Sequence, residues 1–322
     1  MIYIGCIAQF ATGGTELLHQ LAATIISCGT EAKMVYVGGR KKDDPVPDRF
    51  KKYNIPYTHG INKIKESDYL IVPEVMTQFL YKWRTPINCK KAIWWLSVDN
   101  YFESIESFKK SPKHYLGFKF FDFNEKIKHL TQSEYAASFL KKNGVREFNH
   151  LSDYLGDDFL RDSEIDISNK KDIIAYNPKK GIEATKEFIN RSGNQFNFVA
   201  LENMTPLEVR ETLESAKVYI DFGHHPGKDR IPREAAMCGC CVITNTTGSA
   251  AFNKDVPIPQ EYKFKSPIAD FEKITNKIKY CINDFQSEYR KFQNYRETIK
   301  KEKNQFEHDV RKLLEEIGEI KK

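Results

Sequence analysis

A chain of 322 residues, 40% of them apolar and 29% charged, is long enough for two domains of ordinary size and has the composition of a folded globular protein, which excludes a disordered or fibrous one. The formal net charge of +6 comes from lysines spread along the chain instead of blocked on one module, so no nucleic-acid partner is expected, while a peripheral membrane surface fits the charge as well as a solvated exterior does. No run of about 18 apolar residues exists to span a bilayer, and seven scattered cysteines, an odd number, fit a reducing cytoplasm.

The first residues, MIYIGCI, carry no basic residue ahead of their apolar run, which predicts a β-strand over 2–7 and not a secretory leader. A small-residue loop over 8–14 follows. Leu17, Leu18, Leu21, Ala22, Ile25 and Ile26 then have helical spacing over 15–28, Gly29 stops the helix, and 33–37 reads as the next strand. This is a βαβ unit. Gly13 and Gly14 stand at the helix start, where missing side chains let a substrate approach the backbone amides, although a tight turn explains them equally well. No G-x-G-x-x-G is present, so the dinucleotide fingerprint is absent. Residues 69–73 and 92–96 read as buried strands. Asp99 lies just past the second, where open α/β sheets keep ligand contacts, and serves either a sugar or the cap of the next helix. A strand over 128–132 leads into a helix over 133–142, closed by Asn143-Gly144. Between 150 and 171 the periodicity fades and acids gather, so the domains are expected to span 1–160 and 161–322.

The second half repeats the pattern. A strand over 172–176 enters the loop Asn177-Pro178-Lys179-Lys180-Gly181, and a helix runs over 182–190. A strand over 196–201 precedes Asn203 and Met204, and a helix from Thr205 or Pro206 ends near Ala216. The stretch from Lys217 to Pro259 then reads strand, polar loop, helix, strand, with Pro232 suited to the helix's first turn and Gly239 to its end. The loop brings Lys228, Arg230 and Arg233 to that helix start, where backbone N–H groups and three cations suit a phosphate. Gly248-Ser249-Ala250 offers a second group of N–H donors. Cys238, Cys240 and Cys241 have no partners at zinc spacing and read as packing. A last strand ends at Phe264, and 268–282 and 285–317 are helical, the latter with apolar positions too sparse for a coiled-coil seam.

The segment PREAAMCGCCV, 232–242, resembles the sugar-nucleotide signature of family 4 GT-B glycosyltransferases. The resemblance implies an α/β fold of two Rossmann-like domains facing across a cleft, with the terminal helix packing back on the first. It implies that Glu234 grips the ribose hydroxyls, that Lys180-Gly181 forms the phosphate loop, that Gly13-Gly14 lies beneath the sugar-diphosphate, and that Asn203 and Met204 cover the nucleobase with main chain. The stretch 128–145 resembles a family fold marker. Three departures stand out. Ala175 replaces an arginine, leaving Lys179, Lys228 or Arg230 to supply its charge. Pro226 replaces a glutamate, leaving Asp229 or His225 to face the sugar, with Asp229 preferred. The family's histidine near Asp99 is absent.

The activity so implied is transfer of a sugar from a nucleotide-diphosphate donor, with retention of configuration. The chain has no Asp-x-Asp, its nearest approach being Glu164-Ile165-Asp166, so Lys180, Arg230 and helix starts are expected to meet the charge on the leaving diphosphate with no metal or other cofactor. The longer pattern IDFGHHPGKDRIPREAAMCG looks like a subgroup found with bacterial surface-polysaccharide assembly, which implies a glycan or lipid-linked acceptor and a cytoplasmic protein at the inner face of the membrane. The rival readings are a sugar-nucleotide epimerase of the same architecture and a degenerate glycan-binding protein. A dehydrogenase is disfavoured by the missing fingerprint.

Overall fold

The computed structural model describes residues 1–320 except 41, 83–84, 120 and 161–164, so Glu164 lies outside the described residues. The chain forms two compact units, Met1–Asp153 with Asn304–Lys322, and Tyr154–Lys303. The division stands ahead of the expected 160/161, and residues from 304 onward belong to the first unit.

The first unit contains β1 (Ile2–Ile7), α1 (Gly13–Ser27), β2 (Ala32–Val37), β3 (Tyr57–His59), β4 (Tyr69–Pro73), a β5 (Tyr81–Lys82) and β6 (Thr85–Pro86) hairpin, β7 (Lys90–Trp95), α2 (Val98–Lys109), α3 (Pro112–Tyr115), β8 (Lys128–Thr131), α4 (Glu134–Lys142) and β9 (Asn149–His150). Its main sheet runs β3-β2-β1-β4-β7-β8-β9, all parallel. Parallel sheets are covered on both faces, which is why β4 reads as an unbroken apolar run and is buried throughout. Thr12 caps α1 in a reciprocal pair with Thr15, and the helix lays Leu17, Leu18, Leu21 and Ile25 into the core. Trp95 anchors the other side of the sheet: its ring meets Tyr101, Phe123 and Phe139, and its Nε1 donates to His129 Nδ1 at 2.9 Å.

Glu74, just past β4, is buried and accepts a hydrogen bond from Leu96 N at 2.8 Å. Burial pushes its carboxyl up to about 8, against the downward pull of nearby backbone amides. The folded state therefore holds this proton where the unfolded chain has lost it. The resulting stabilisation is complete below the ordinary value of 4.5 and is lost as pH rises toward about 8. Between those limits it falls by up to about 1.4 kcal/mol per pH unit. Glu74→Gln should flatten that slope. Urea midpoints taken at intervals from pH 5 to pH 8 check it, and parallel curves for the two proteins would refute the assignment.

The second unit contains β10 (Lys171–Tyr176), α5 (Ile182–Ser192), β11 (Asn197–Ala200), α6 (Pro206–Ser215), β12 (Ala216–Asp221), α7 (Arg230–Met237), β13 (Cys241–Asn245), β14 (Lys263–Phe264), α8 (Phe271–Asn283) and α9 (Phe285–Arg290). Its parallel sheet runs β11-β10-β12-β13-β14. Ile174, Val218, Ile220, Val242 and Ile243 build the core with Phe188, Ile274 and Ile278 from the flanking helices. Lys170, ahead of β10, is buried and donates to the carbonyls of Leu213, Ala216 and Cys238 at 2.6–2.8 Å, so one ammonium closes the ends of α6 and α7. The expected helix over 285–317 is broken after α9, and α10 (Gln293–Glu316) crosses the division between the units. No helix among the described residues is long and apolar enough to cross a membrane.

Candidate functional site

In the second sheet the order reverses between β10 and β12, which start their loops in opposite directions across the sheet. Open α/β folds bind ligands outside the carboxyl ends of strands at such a point. Here the point is packed through glycine. Gly181 has φ +57°, and an added Cβ would stand 2.6 Å from Gly223 Cα, while one at Gly223 would stand 2.6 Å from Lys180 Cβ. The two loops therefore touch backbone to backbone, and they bring Lys180, after β10, onto Asp229, in the loop after β12.

Lys180 Nζ donates to Asp229 Oδ1. His225, 1% exposed, lies between two carboxylates, with Nδ1 at 3.0 Å from Asp229 Oδ2 and Nε2 at 3.8 Å from Asp221 Oδ1. Asp221 is further held by Tyr219 Oη and Gly223 N. The His225–Asp229 contact is close but off the line of a ring N–H and the one to Asp221 is too long, so among the described residues neither ring nitrogen nor Asp229 Oδ2, all buried, has a hydrogen-bond partner, and nor has Thr244 Oγ1, whose residue pairs in register with Asp221. Burial opposes charge on the imidazole, but the Asp229 and Asp221 carboxylates outweigh it and raise the His225 pKa. Burial likewise opposes charge on Asp229, yet its His225 and Lys180 neighbours lower its pKa; at Asp221 burial prevails and the pKa is raised. With both carboxylates ionised and His225 protonated, the quartet sums to zero charge.

Asp221, His225 and Asp229 are also a donor set that could be offered to a metal, their ligand atoms lying within 4.8 Å of one another. The carboxylates, however, approach opposite nitrogens of one ring, and a metal takes a single ring nitrogen. That arrangement suits an imidazolium clamped on both sides better than a chelate.

The expected convergence of three cations on one phosphate is only partly met. Lys228 Nζ lies 2.8 Å from Glu302 Oε1 and Arg233 Nη1 lies 2.7 Å from Glu302 Oε2, on α10, with Arg233 buried. Arg233 also donates to the carbonyls of Lys228 and Asp229. These two cations brace the loop. Arg230 faces Glu234 one turn along α7, Nε to Oε1 3.7 Å. Ser249, expected to present its N–H to phosphate, instead donates it to His225 O at 2.8 Å and its hydroxyl to Gly227 O at 2.6 Å. An added Cβ at Gly248 would collide with His225 O, so this turn, too, holds the loop from behind.

Asn177 Oδ1 accepts from Lys179 N at 3.0 Å and shapes the turn into Gly181. Asn203, at φ +56°, and Met204 follow β11, and among the described residues no hydrogen bond or ion pair joins them to the quartet. In the first unit the order reverses between β1 and β4. Gly13 and Gly14 open α1 just past β1, and a Cβ at Gly14 would find its nearest neighbour at 3.9 Å, so packing does not demand glycine there. Asp99 sits in the first turn of α2, after the cap Ser97, and accepts from Tyr135 Oη at 2.7 Å. A hollow of about 530 Å³ lined by Asp172, Gln195, Phe196 and Lys279 lies at the amino end of β10, the opposite edge from the quartet, and carries no comparable cluster.

No family model matches the chain, and no curated protein sequence does. Among solved structures it is similar to sucrose-phosphate synthase (tll1590) from Thermosynechococcus elongatus, with a TM-score of 0.68 at 12% identity over 99% of each chain. It is similar to Anabaena Alr3699/HepE in complex with UDP, with a TM-score of 0.63 at 12% identity over 99% of this chain and 100% of that one. The fold is that of the GT-B glycosyltransferases. WaaG, a glycosyltransferase involved in lipopolysaccharide biosynthesis, aligns with a TM-score of 0.61 at 12% identity over 96% of this chain and 99% of that one. At such identities the likeness speaks for the architecture, two Rossmann-like α/β units, and leaves the chemistry to the site.

Proposed function

We propose that this protein transfers a sugar from a nucleoside-diphosphate donor to a glycan or lipid-linked glycan acceptor, with retention of anomeric configuration and without a metal. The observation that carries the reading is Lys180, placed by two touching glycine loops at the switch point of the second sheet, in a fold whose solved relatives include a protein bound to UDP. In the reaction the bond from the anomeric carbon to the phosphate oxygen breaks, the diphosphate keeps the electron pair, and the acceptor hydroxyl oxygen bonds to the anomeric carbon and passes its proton to an oxygen of the departing diphosphate. Stabilising the charge gathered on the diphosphate lowers the barrier. Lys180 and Arg230 meet that charge, and Glu234 holds the ribose. No covalent nucleophile is assigned. The setting is cytoplasmic.

A screen of UDP, GDP, dTDP and CMP sugars by thermal shift tests this, because a ligand bound only by the folded state raises Tm by mass action. One nucleotide should raise Tm, and Lys180→Ala should remove most of that rise. If no nucleotide does so, or if the variant keeps the full response, the assignment is wrong. Pro226, where the resemblance places a glutamate, favours one second reading, a glycan-binding protein that has lost transfer. Nucleotide binding with no release of diphosphate from any donor and acceptor pair would select it.

A further inference from the structure

Lys180, Asp229 and His225 are ordered inward from solvent, their side chains 34%, 13% and 1% exposed, so a ligand meets the ammonium and never the ring. Asp229 turns one oxygen toward each cation: Oδ1 accepts from Lys180 Nζ, and Oδ2 lies 3.0 Å from His225 Nδ1. The ring is held in place through its main chain. Its carbonyl accepts from Ser249 N at 2.8 Å, in a turn where a Cβ on Gly248 would collide with that oxygen. The charged and titratable groups that face it come from four directions. β12 brings Asp221, 3.8 Å from Nε2, with Tyr219 Oη donating to that carboxylate, and the loop after β10 brings Lys180. β13 contributes the neutral Thr244, in register with Asp221. From α7, Arg233 donates Nε to the Asp229 carbonyl, but Glu302 answers its charge and that of Lys228, and Arg230 faces Glu234.

These positions let the charge on one buried ring decide what Lys180 is free to do. While His225 carries both ring protons, Asp229 keeps an imidazolium beside it when Lys180 turns to an incoming anion. Once His225 is neutral, Lys180 is the one cation left in the quartet against two carboxylates, and drawing it away strands both of them in a largely buried place. Burial opposes charge on the ring, but Asp229 and Asp221 outweigh it and hold the proton above the ordinary histidine value of 6.5. We propose that His225 is a positioning residue that acts through Asp229, freeing Lys180 for the donor's diphosphate when the ring is protonated and withholding it when the ring is neutral. This role rests on the transferase reading, since the anion it serves is that of the sugar nucleotide. Affinity for the donor is then complete while the ring is charged and is lost as pH rises through its titration.

The test is calorimetric titration of the full chain with UDP-glucose, GDP-mannose and dTDP-glucose at pH 6 and pH 8.5, ligands whose disubstituted diphosphates keep a constant charge over that range. At least one should bind, about five-fold more weakly at pH 8.5, the size that a ligand-induced rise of about one unit in the ring's pKa gives. His225→Asn should bind it at pH 6 as weakly as the wild type does at pH 8.5. Asp229→Asn should bind it at pH 8.5 at least as tightly as the wild type does at pH 6. Neither variant should show the slope, one being flat at the weak level and the other at the tight level, a divergence that a merely structural role would not produce. Circular dichroism at both pH values checks that the variants are folded, and should His225→Asn not fold, the wild-type slope and its loss in Asp229→Asn decide alone. Equal affinities of the wild type at the two pH values, or a slope that Asp229→Asn keeps, overturn this role and leave the transferase reading standing. No binding of any of the three at either pH removes the diphosphate donor and this role with it.

Discussion

Replacing Glu302 by alanine should lower the unfolding free energy by about 3–5 kcal/mol. Arg233 is 1% exposed and Glu302 answers its charge at 2.7 Å, while the other carboxylate oxygen holds Lys228 at 2.8 Å. Removing the carboxylate takes from the buried guanidinium the counter-charge that stands 2.7 Å away, which its bonds to two loop carbonyls do not replace. The desolvation already incurred is then less fully compensated, which is why breaking a buried pair costs more than the pair is worth. Glu302→Gln, which keeps the shape and the acceptor oxygen, should lose roughly half as much. The measurement is urea unfolding followed by far-UV circular dichroism. A loss under about 1 kcal/mol, the scale of an exposed pair, would show that Arg233 finds another anion.

Asp229→Asn should tighten binding of a nucleoside diphosphate about ten-fold, a gain of about 1.4 kcal/mol. Asp229 is paired with Lys180, the cation assigned to the diphosphate, so a phosphate reaching Lys180 competes with a carboxylate. Asparagine fills the same volume without the charge. At about 4 Å, like charges at an effective dielectric near 20 repel by about 4 kcal/mol, ample for the expected effect. The sequence reading instead turns Asp229 toward the donor sugar. Calorimetric titration separates the two: if Asp229 holds sugar hydroxyls, the variant binds the sugar nucleotide more weakly than the wild type while its affinity for the plain diphosphate is unchanged. A weaker affinity for both would mean that the carboxylate is needed to keep the loop in shape.

The regular elements were legible because their periodicity is local. The strand over 69–73, the glycine that ends α7 and the Thr205 cap of α6 each rest on residues within one turn of one another. Short strands such as β3 and β9 carry too few residues for a period to register. At the site, Lys180 and Asp229 could be read because both stand in loops after strands of an α/β pattern. Their pairing could not, since it depends on two loops from different strands meeting through Gly181 and Gly223. Asp221 was hidden as the last residue of an apolar strand, although the Asp221-x-x-x-His225-x-x-x-Asp229 spacing was there to notice. Lys228 and Arg233 were assigned to phosphate for a related reason. The loop's positive charge is visible in sequence, whereas the carboxylate that answers it sits on α10, tied to the loop by no local pattern. Ser249 shows the same limit in small: its backbone donor was counted, but the acceptor awaiting it, His225 O, belongs to another loop.

Because α10 crosses the division between the units, the first lobe is encoded in two pieces with the whole of the second between them. Phe306 stacks on Trp94, Asp309 accepts from Ser152 N, and Val310, Leu313 and Leu314 are sealed inside. During synthesis the early piece must therefore wait, with the Trp94 face uncovered, until residue 314 has cleared the ribosome, so the lobe begun first is the one finished last.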